Sequence, residues 1–362
     1  MELNCSELGK FFSQILTQKA QFDQALKVES VDQAEELSQE LKASIERLSV
    51  ELVWPFSEFS HKTLKEQYES QVQILVQNGI LERLPSGERY ITGIDDEKYF
   101  LPTLGQIIRQ IMSRPELKDK ISQGFTKLQV TPFALSLPEL ADAVAQTLLD
   151  HHKAGKLFAA KRNQDDPKEQ LTQLKLPNDC ETNPGHSPLS MWEGYTNDKV
   201  MGSGGLVYFP KRFDPKKHQG KTKQQLLSEK STFPGFLVTL TEPSSEMQPN
   251  IILGNRIRMN PKKYLQDLQS QPKYQHERGI TPEEWLVRFL VHLEQTDQVI
   301  DVMKSSAPDG GNRCYHLGAY FVSGNASVSE VLFDGLNNRV FLKWGHTEPI
   351  DWHSETYRVV GV

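Results

Sequence analysis

Residues 281–303 read TPEEWLVRFLVHLEQTDQVIDVM, the most apolar helix-like segment of the chain with its own start signal. Thr281 is placed to cap a helix, Pro282 suits the first helical position, and Glu284 is spaced to close a capping box. Trp285, Phe289, Leu293 and Ile300 fall along one side. Leu286, Val287, Leu290 and Val291 widen the apolar sector until it covers most of the first three turns. A helix apolar on most of its sides is a central one, covered by sheet or by other helices. At 1.5 Å per residue the stretch predicts a rod of about 34 Å.

The segments around it read as its cover. CYHLGAYFV (314–322), VSEVLFD (328–334) and RVFLKW (339–344) are three strands in succession, with Ser323-Gly324-Asn325 and Gly335 to Asn338 as turns. That order predicts an antiparallel meander. Upstream, GLVYFP (205–210), GFLVTL (235–240) and NIILGNRIRM (250–259) read as strands, KTKQQLLSEK (221–230) and PKKYLQDLQS (261–270) as helices. KLQVTPFAL (127–135) predicts a strand and SLPELADAVAQTLLDHHKAG (136–155) a helix, with KLFAA (156–160) as a further short strand. The fold class is therefore α+β, a mixed or antiparallel sheet packed on helices, over residues 126–362. Within it, residues 161–204 are rich in Pro, Asn, Asp and Gln. They are too long for an ordinary connection, which predicts a functional loop, a lid or a disordered insert.

Residues 1–125 read as a mostly helical region. Leu8, Phe12, Ile15, Phe22 and Leu26 make one seam, interrupted at Lys19; Leu37, Leu41, Ile45, Leu48 and Leu52 make a second. Two such seams predict a helical hairpin packed on its own domain. A third stripe, Leu64, Tyr68, Val72 and Leu75, runs to a stop at Gly79. ILERLPSGERYIT then alternates around Pro85-Ser86-Gly87, a hairpin signal. Helix, short strand, Ser-Gly turn and strand together resemble the end of a winged-helix domain, over about residues 33–94. A DNA reader needs a basic excess, but Lys65 is set against Glu66 and Glu69, and Arg83 and Arg89 against Glu82 and Glu88. The module reads instead as a structural or protein-contact unit, with a winged-helix regulator as a minority alternative.

The 362 residues carry a net charge of −6 and a pI near 6.0, with a hydrophobic share of 37% and a charged share of 24%. That is a soluble, globular balance, and it disfavours wholesale binding to nucleic acid or an anionic membrane. No apolar run approaches bilayer length. The N-terminus lacks the features of a secretory signal. Cys5, Cys180 and Cys314 lie far apart, with no zinc spacing and no disulfide framework, so a reducing cytoplasm is the expectation. Export by a signal-independent system stays open.

Cys314 follows a glycine-rich approach and has His316 two residues on, with His346 and Asp351 downstream. Cys, His and Asp in that order are the parts of a thiol nucleophile with its base and orienting carboxylate. Cys314 opens a strand, however, rather than sitting at a helix N-terminus that would activate it. Lys211, Arg212, Lys216, Lys217, His218, Lys221 and Lys223 form the one concentrated basic run, and Lys217, Lys221 and Lys223 lead into a helix start able to hold an anion. It is not a P-loop, because Pro215 stands where that motif needs Gly. Trp192, Glu193, Tyr195, Trp344 and Trp352 can line a cleft, and Glu193 with Asp198 can form a carboxylate pair. His151, His152 and His292 read as structural. No metal site or cofactor is implied, since HExxH, CxxC, GxGxxG and GxSxG patterns do not occur.

TPEEWLVRFLVHLEQTDQVID also resembles a stretch of uncharacterised bacterial proteins. The likeness implies a bacterial origin and a shared fold for the C-terminal half, and carries over no catalytic residue. The leading expectation is a non-catalytic protein that binds a protein partner or an anionic small molecule. The competing class is a cysteine- or carboxylate-dependent hydrolase or transferase. Oligomeric state is not legible.

Overall fold

The structure, a computed structural model, describes residues 14, 17–24, 37–40, 59–159, 170–177, 179–180, 182, 187–195, 205–242, 261–300, 313–322, 327–334, 339–347 and 354–362. The fold is α+β. Two compact units are present: Met1–Glu66 with Thr103–Ser122, and Gln67–Pro102 with Gln123–Val362. Residues 67–102, which carry the hairpin, belong to the larger unit. Residues 17–24 and 37–40 are helical. The remainder of the two N-terminal seams, the strand expected at 250–259, and Asp198, Asp351 and Trp352 lie outside the described residues.

In the smaller unit, helices α2 (Leu104–Ser113) and α3 (Pro115–Ser122) bury Ile107, Ile108, Ile111, Leu117 and Ile121. Thr103 and Gln106 close a capping box at the head of α2. Helix α1 spans His61–Gln77, and Gly79 ends it at φ +69°, a left-handed turn that suits a residue without Cβ.

In the larger unit, strands β1 (Glu82–Arg83), β2 (Arg89–Thr92) and β3 (Lys98–Phe100) form a small antiparallel sheet. The third strand was not anticipated, because Lys-Tyr-Phe is too short for periodicity to register. A second sheet has the order β4-β8-β15-β9, from Lys127–Thr131, Leu237–Thr241, Arg358–Gly361 and Glu277–Gly279, all antiparallel. The β4 edge is not left open. Gln67 and Gln71, one turn apart on α1, accept from Leu128 N at 2.6 Å and Val130 N at 3.1 Å, and donate to Thr126 and Leu128 carbonyls. Two helix carboxamides thus take the place of a neighbouring strand.

The third sheet holds the predicted meander, β11 (Arg313–Phe321), β12 (Ser327–Asp334) and β13 (Arg339–His346). It is extended by β14 (Ser354–Glu355) and by β6 (Leu189–Met191), with β7 (Leu206–Tyr208) also pairing with β11. Strand β6 and the buried Leu174 and Leu176 lie inside the long polar stretch 161–204, so part of that stretch is built into the core. The pairing of β11 slips between His316 and Tyr320, where Gly318 sits against the chain opposite. Gly318 N donates to Ile280 O at 2.9 Å, and a Cβ there would stand 2.7 Å from Gly279 O.

The apolar stretch that starts at Thr281 forms helix α7 (Pro282–Thr296) with the expected Thr281–Glu284 capping box. Trp285, Leu286, Val287, Phe289, Leu290 and Leu293 are fully buried. The helix packs on α4 (Leu137–Lys153), on β4 and on β11, so sheet, helix and sheet all cover it. It ends earlier than its apolar pattern predicts. Asp297 turns left-handed at φ 58°, and Gln298–Val299 (β10) leaves to pair with Phe158–Ala159 (β5). Ile300 therefore stays buried without belonging to the helix.

Candidate functional site

Cys314 and His316 lie two apart on β11 and are 1% and 0% exposed. His316 pairs in register with Ser329 on β12, and its Nδ1 is 2.7 Å from Ser329 Oγ. Ser329 Oγ is 2.8 Å from the Tyr195 hydroxyl, which donates to Lys343 O at 2.8 Å. Each hydroxyl has one proton, so one arrangement satisfies all three contacts. His316 Nδ1–H donates to Ser329, Ser329 to Tyr195, and Tyr195 to the carbonyl. Nε2 is then a buried acceptor with no hydrogen-bond partner among the described residues. Burial pushes the imidazole down to about 3, so it is neutral, and burial holds the Tyr195 phenol well above its usual range. This is a closed chain of polar side chains behind Trp285, whose ring centroid is 6.1 Å from that of His316. Trp192 packs edge-on to Tyr195 and Phe321. Glu193 is exposed beside it. His346 and Trp344 lie on β13.

A second polar group sits at the head of α7. Glu283, fully buried, accepts from Tyr208 OH at 2.6 Å and pairs with Lys223 Nζ at 2.8 Å. Lys223 Nζ also donates to Leu135 O at 2.7 Å and lies 5.0 Å from the Phe133 ring centroid. Lys223 is thus spent on the core: it opens the short helix α5 (Lys223–Leu227) and points inward. Lys221 pairs with Glu229 at 2.6 Å. Lys217 is exposed, and its amide donates to Asp214 Oδ1 at 3.0 Å.

A cleft of about 680 Å³ opens between the 211–216 loop and helix α6 (Pro261–Ser270). Its floor is apolar, from Phe213 and Leu265, both members of the core cluster that holds Tyr320. Lys211, Arg212, Lys216 and Lys262 stand around it against one carboxylate, Asp214. Lys211, Arg212 and Lys216 are exposed and make no ion pair among the described residues. Asp214 is held below the usual carboxylate range chiefly by the Lys216 amide, 2.8 Å from Oδ1, so it shapes the loop as an anion. The sequence located this basic run, but the cleft uses its first half; Lys221 and Lys223, from its second half, are held by glutamates. Lys262 was missed. Its sequence signal was the polar row Lys262, Gln266 and Ser270 at spacing four in PKKYLQDLQS.

Among the described residues, no group of three His, Cys, Asp or Glu could hold a metal ion, and no helix is long and apolar enough to cross a membrane. Comparison of the chain with protein-family models, with curated proteins and with solved structures finds no match.

Proposed function

We propose that this chain is a binding protein for an anionic ligand, which it takes in the cleft between the 211–216 loop and α6. One observation carries this reading. In a chain of net charge −6, four cations converge on one apolar-floored cleft, and three of them are exposed with no ion pair among the described residues. Cations in excess of the one carboxylate, over an apolar floor, repel one another and gain from an anion that also covers the floor. The thiol-hydrolase alternative gains no such support, because Cys314 and His316 are enclosed and the imidazole nitrogen facing Ser329 is spent as a donor.

Titration calorimetry with pyrophosphate, citrate and pentaglutamate tests the proposal. Wild type binds at least one of them, more weakly as salt rises, and Arg212→Glu/Lys216→Glu loses affinity by at least tenfold. Equal affinity in wild type and the charge-reversed variant would overturn it.

A further inference from the structure

The anion-binding reading of the cleft leaves the class of ligand open, and the inference here rests on that reading. We propose that the ligand is an extended acidic peptide segment, its backbone read by the exposed row of α6 and its carboxylates by the surrounding cations.

Lys262, Gln266 and Ser270 are exposed, line the cleft, and lie one turn apart. Successive members rise about 6 Å along the helix. Alternate residues of an extended chain are about 6.6 Å apart. A strand laid along α6 therefore brings every second residue opposite one member of the row. The helix spans about 15 Å, room for four to five extended residues.

The protein already uses this device. Gln67 and Gln71 stand at the same spacing on α1 and bind the backbone of residues 126, 128 and 130, alternate positions of an extended strand. Gln266, with Gln269 beside it, offers the same carboxamide donor and acceptor to a chain that is not part of the fold. A phosphate or other compact anion uses donors only and has no need of the amide oxygen. Lys262 at one end of the row and Lys211, Arg212 and Lys216 across the cleft supply the charge complement for acidic side chains. Leu265 and Phe213 leave an apolar floor beneath the peptide.

The test uses the full chain and the acetylated, amidated pentapeptide Glu-Ala-Glu-Ala-Glu, with its backbone N-methylated analogue, pyrophosphate and oligo-dT as comparison ligands. N-methylation leaves the charge unchanged and removes the amide donors. The expected result is binding of the plain peptide about tenfold tighter than the N-methylated one, a difference abolished by Gln266→Leu. Arg212→Glu/Lys216→Glu weakens both peptides. Equal binding of the two peptides overturns the inference, as does binding of pyrophosphate or oligo-dT without the peptide; in each case the anion reading stands. Binding of none of the four ligands, nor of citrate or pentaglutamate, overturns both.

Discussion

Lys223→Met tests how the head of the central helix is held. The substitution keeps most of the side-chain volume and deletes the ammonium. Glu283, with no exposed surface, then keeps only the Tyr208 hydroxyl at 2.6 Å, and the Leu135 carbonyl loses its donor at 2.7 Å. Removing one partner of a buried pair costs about 3–5 kcal/mol, since the other charge stays desolvated and uncompensated. Lys223 retains 10% side-chain exposure, which admits some solvent, so the lower end, about 3 kcal/mol, is the expectation. With a urea m-value of about 3 kcal/mol/M the midpoint falls by about 1 M. Tryptophan emission is a suitable probe, because Trp285 on α7 is fully buried two residues from Glu283. The paired substitution Lys223→Met/Glu283→Leu recovers part of the loss: no charge is stranded, but the Tyr208 hydroxyl and the Leu135 carbonyl stay without their partners. A loss under 1 kcal/mol for Lys223→Met with an unchanged m-value would refute the claim that a buried ion pair anchors α5 to α7.

Two further outcomes follow from the buried polar chain. The unfolded chain accepts a proton on His316 below about pH 6.5, while the native imidazole refuses it until about pH 3, and His292 behaves alike with a native value of about 4. Both contributions are complete above pH 6.5 and are lost as pH falls towards 3 to 4. Midpoint temperature followed across pH 7.5 to 4 therefore declines, less steeply in His316→Gln; an identical slope in that variant counts against a depressed histidine. In a Cys5→Ser/Cys180→Ser background, Cys314 reacts with iodoacetamide only as fast as the larger unit opens, more than tenfold slower than a free thiol. Reaction at the free-thiol rate would restore the nucleophile reading.

The buried rod was legible because capping residues and apolar positions sit within one stretch and need no distant partner. Thr281, Glu284 and Trp285 do what their spacing implies. The meander was legible for the same reason, since turns and alternation are local. The end of α7 was not: Asp297 turns left-handed to let β10 meet β5, and that partner lies about 140 residues away. Strand β15 was invisible in the same way, a four-residue segment whose neighbours β8 and β9 come from distant parts of the chain. At the site, charge was readable and its availability was not. Lys216 and Lys223 look alike in sequence, yet one stands in solvent and the other is held by Glu283. Joining Lys262 to the 211–216 loop required the fold itself.

The cationic cleft is the proposed working surface, and backbone amide exchange locates a ligand bound there. Exchange is measured with and without a saturating amount of the tightest-binding anion among pyrophosphate, citrate and pentaglutamate. Slowed exchange in 211–217 and 262–270, with 313–317 unchanged, is the predicted result. Slowing confined to 313–317 and 189–195, or to any region away from the cleft, would contradict it.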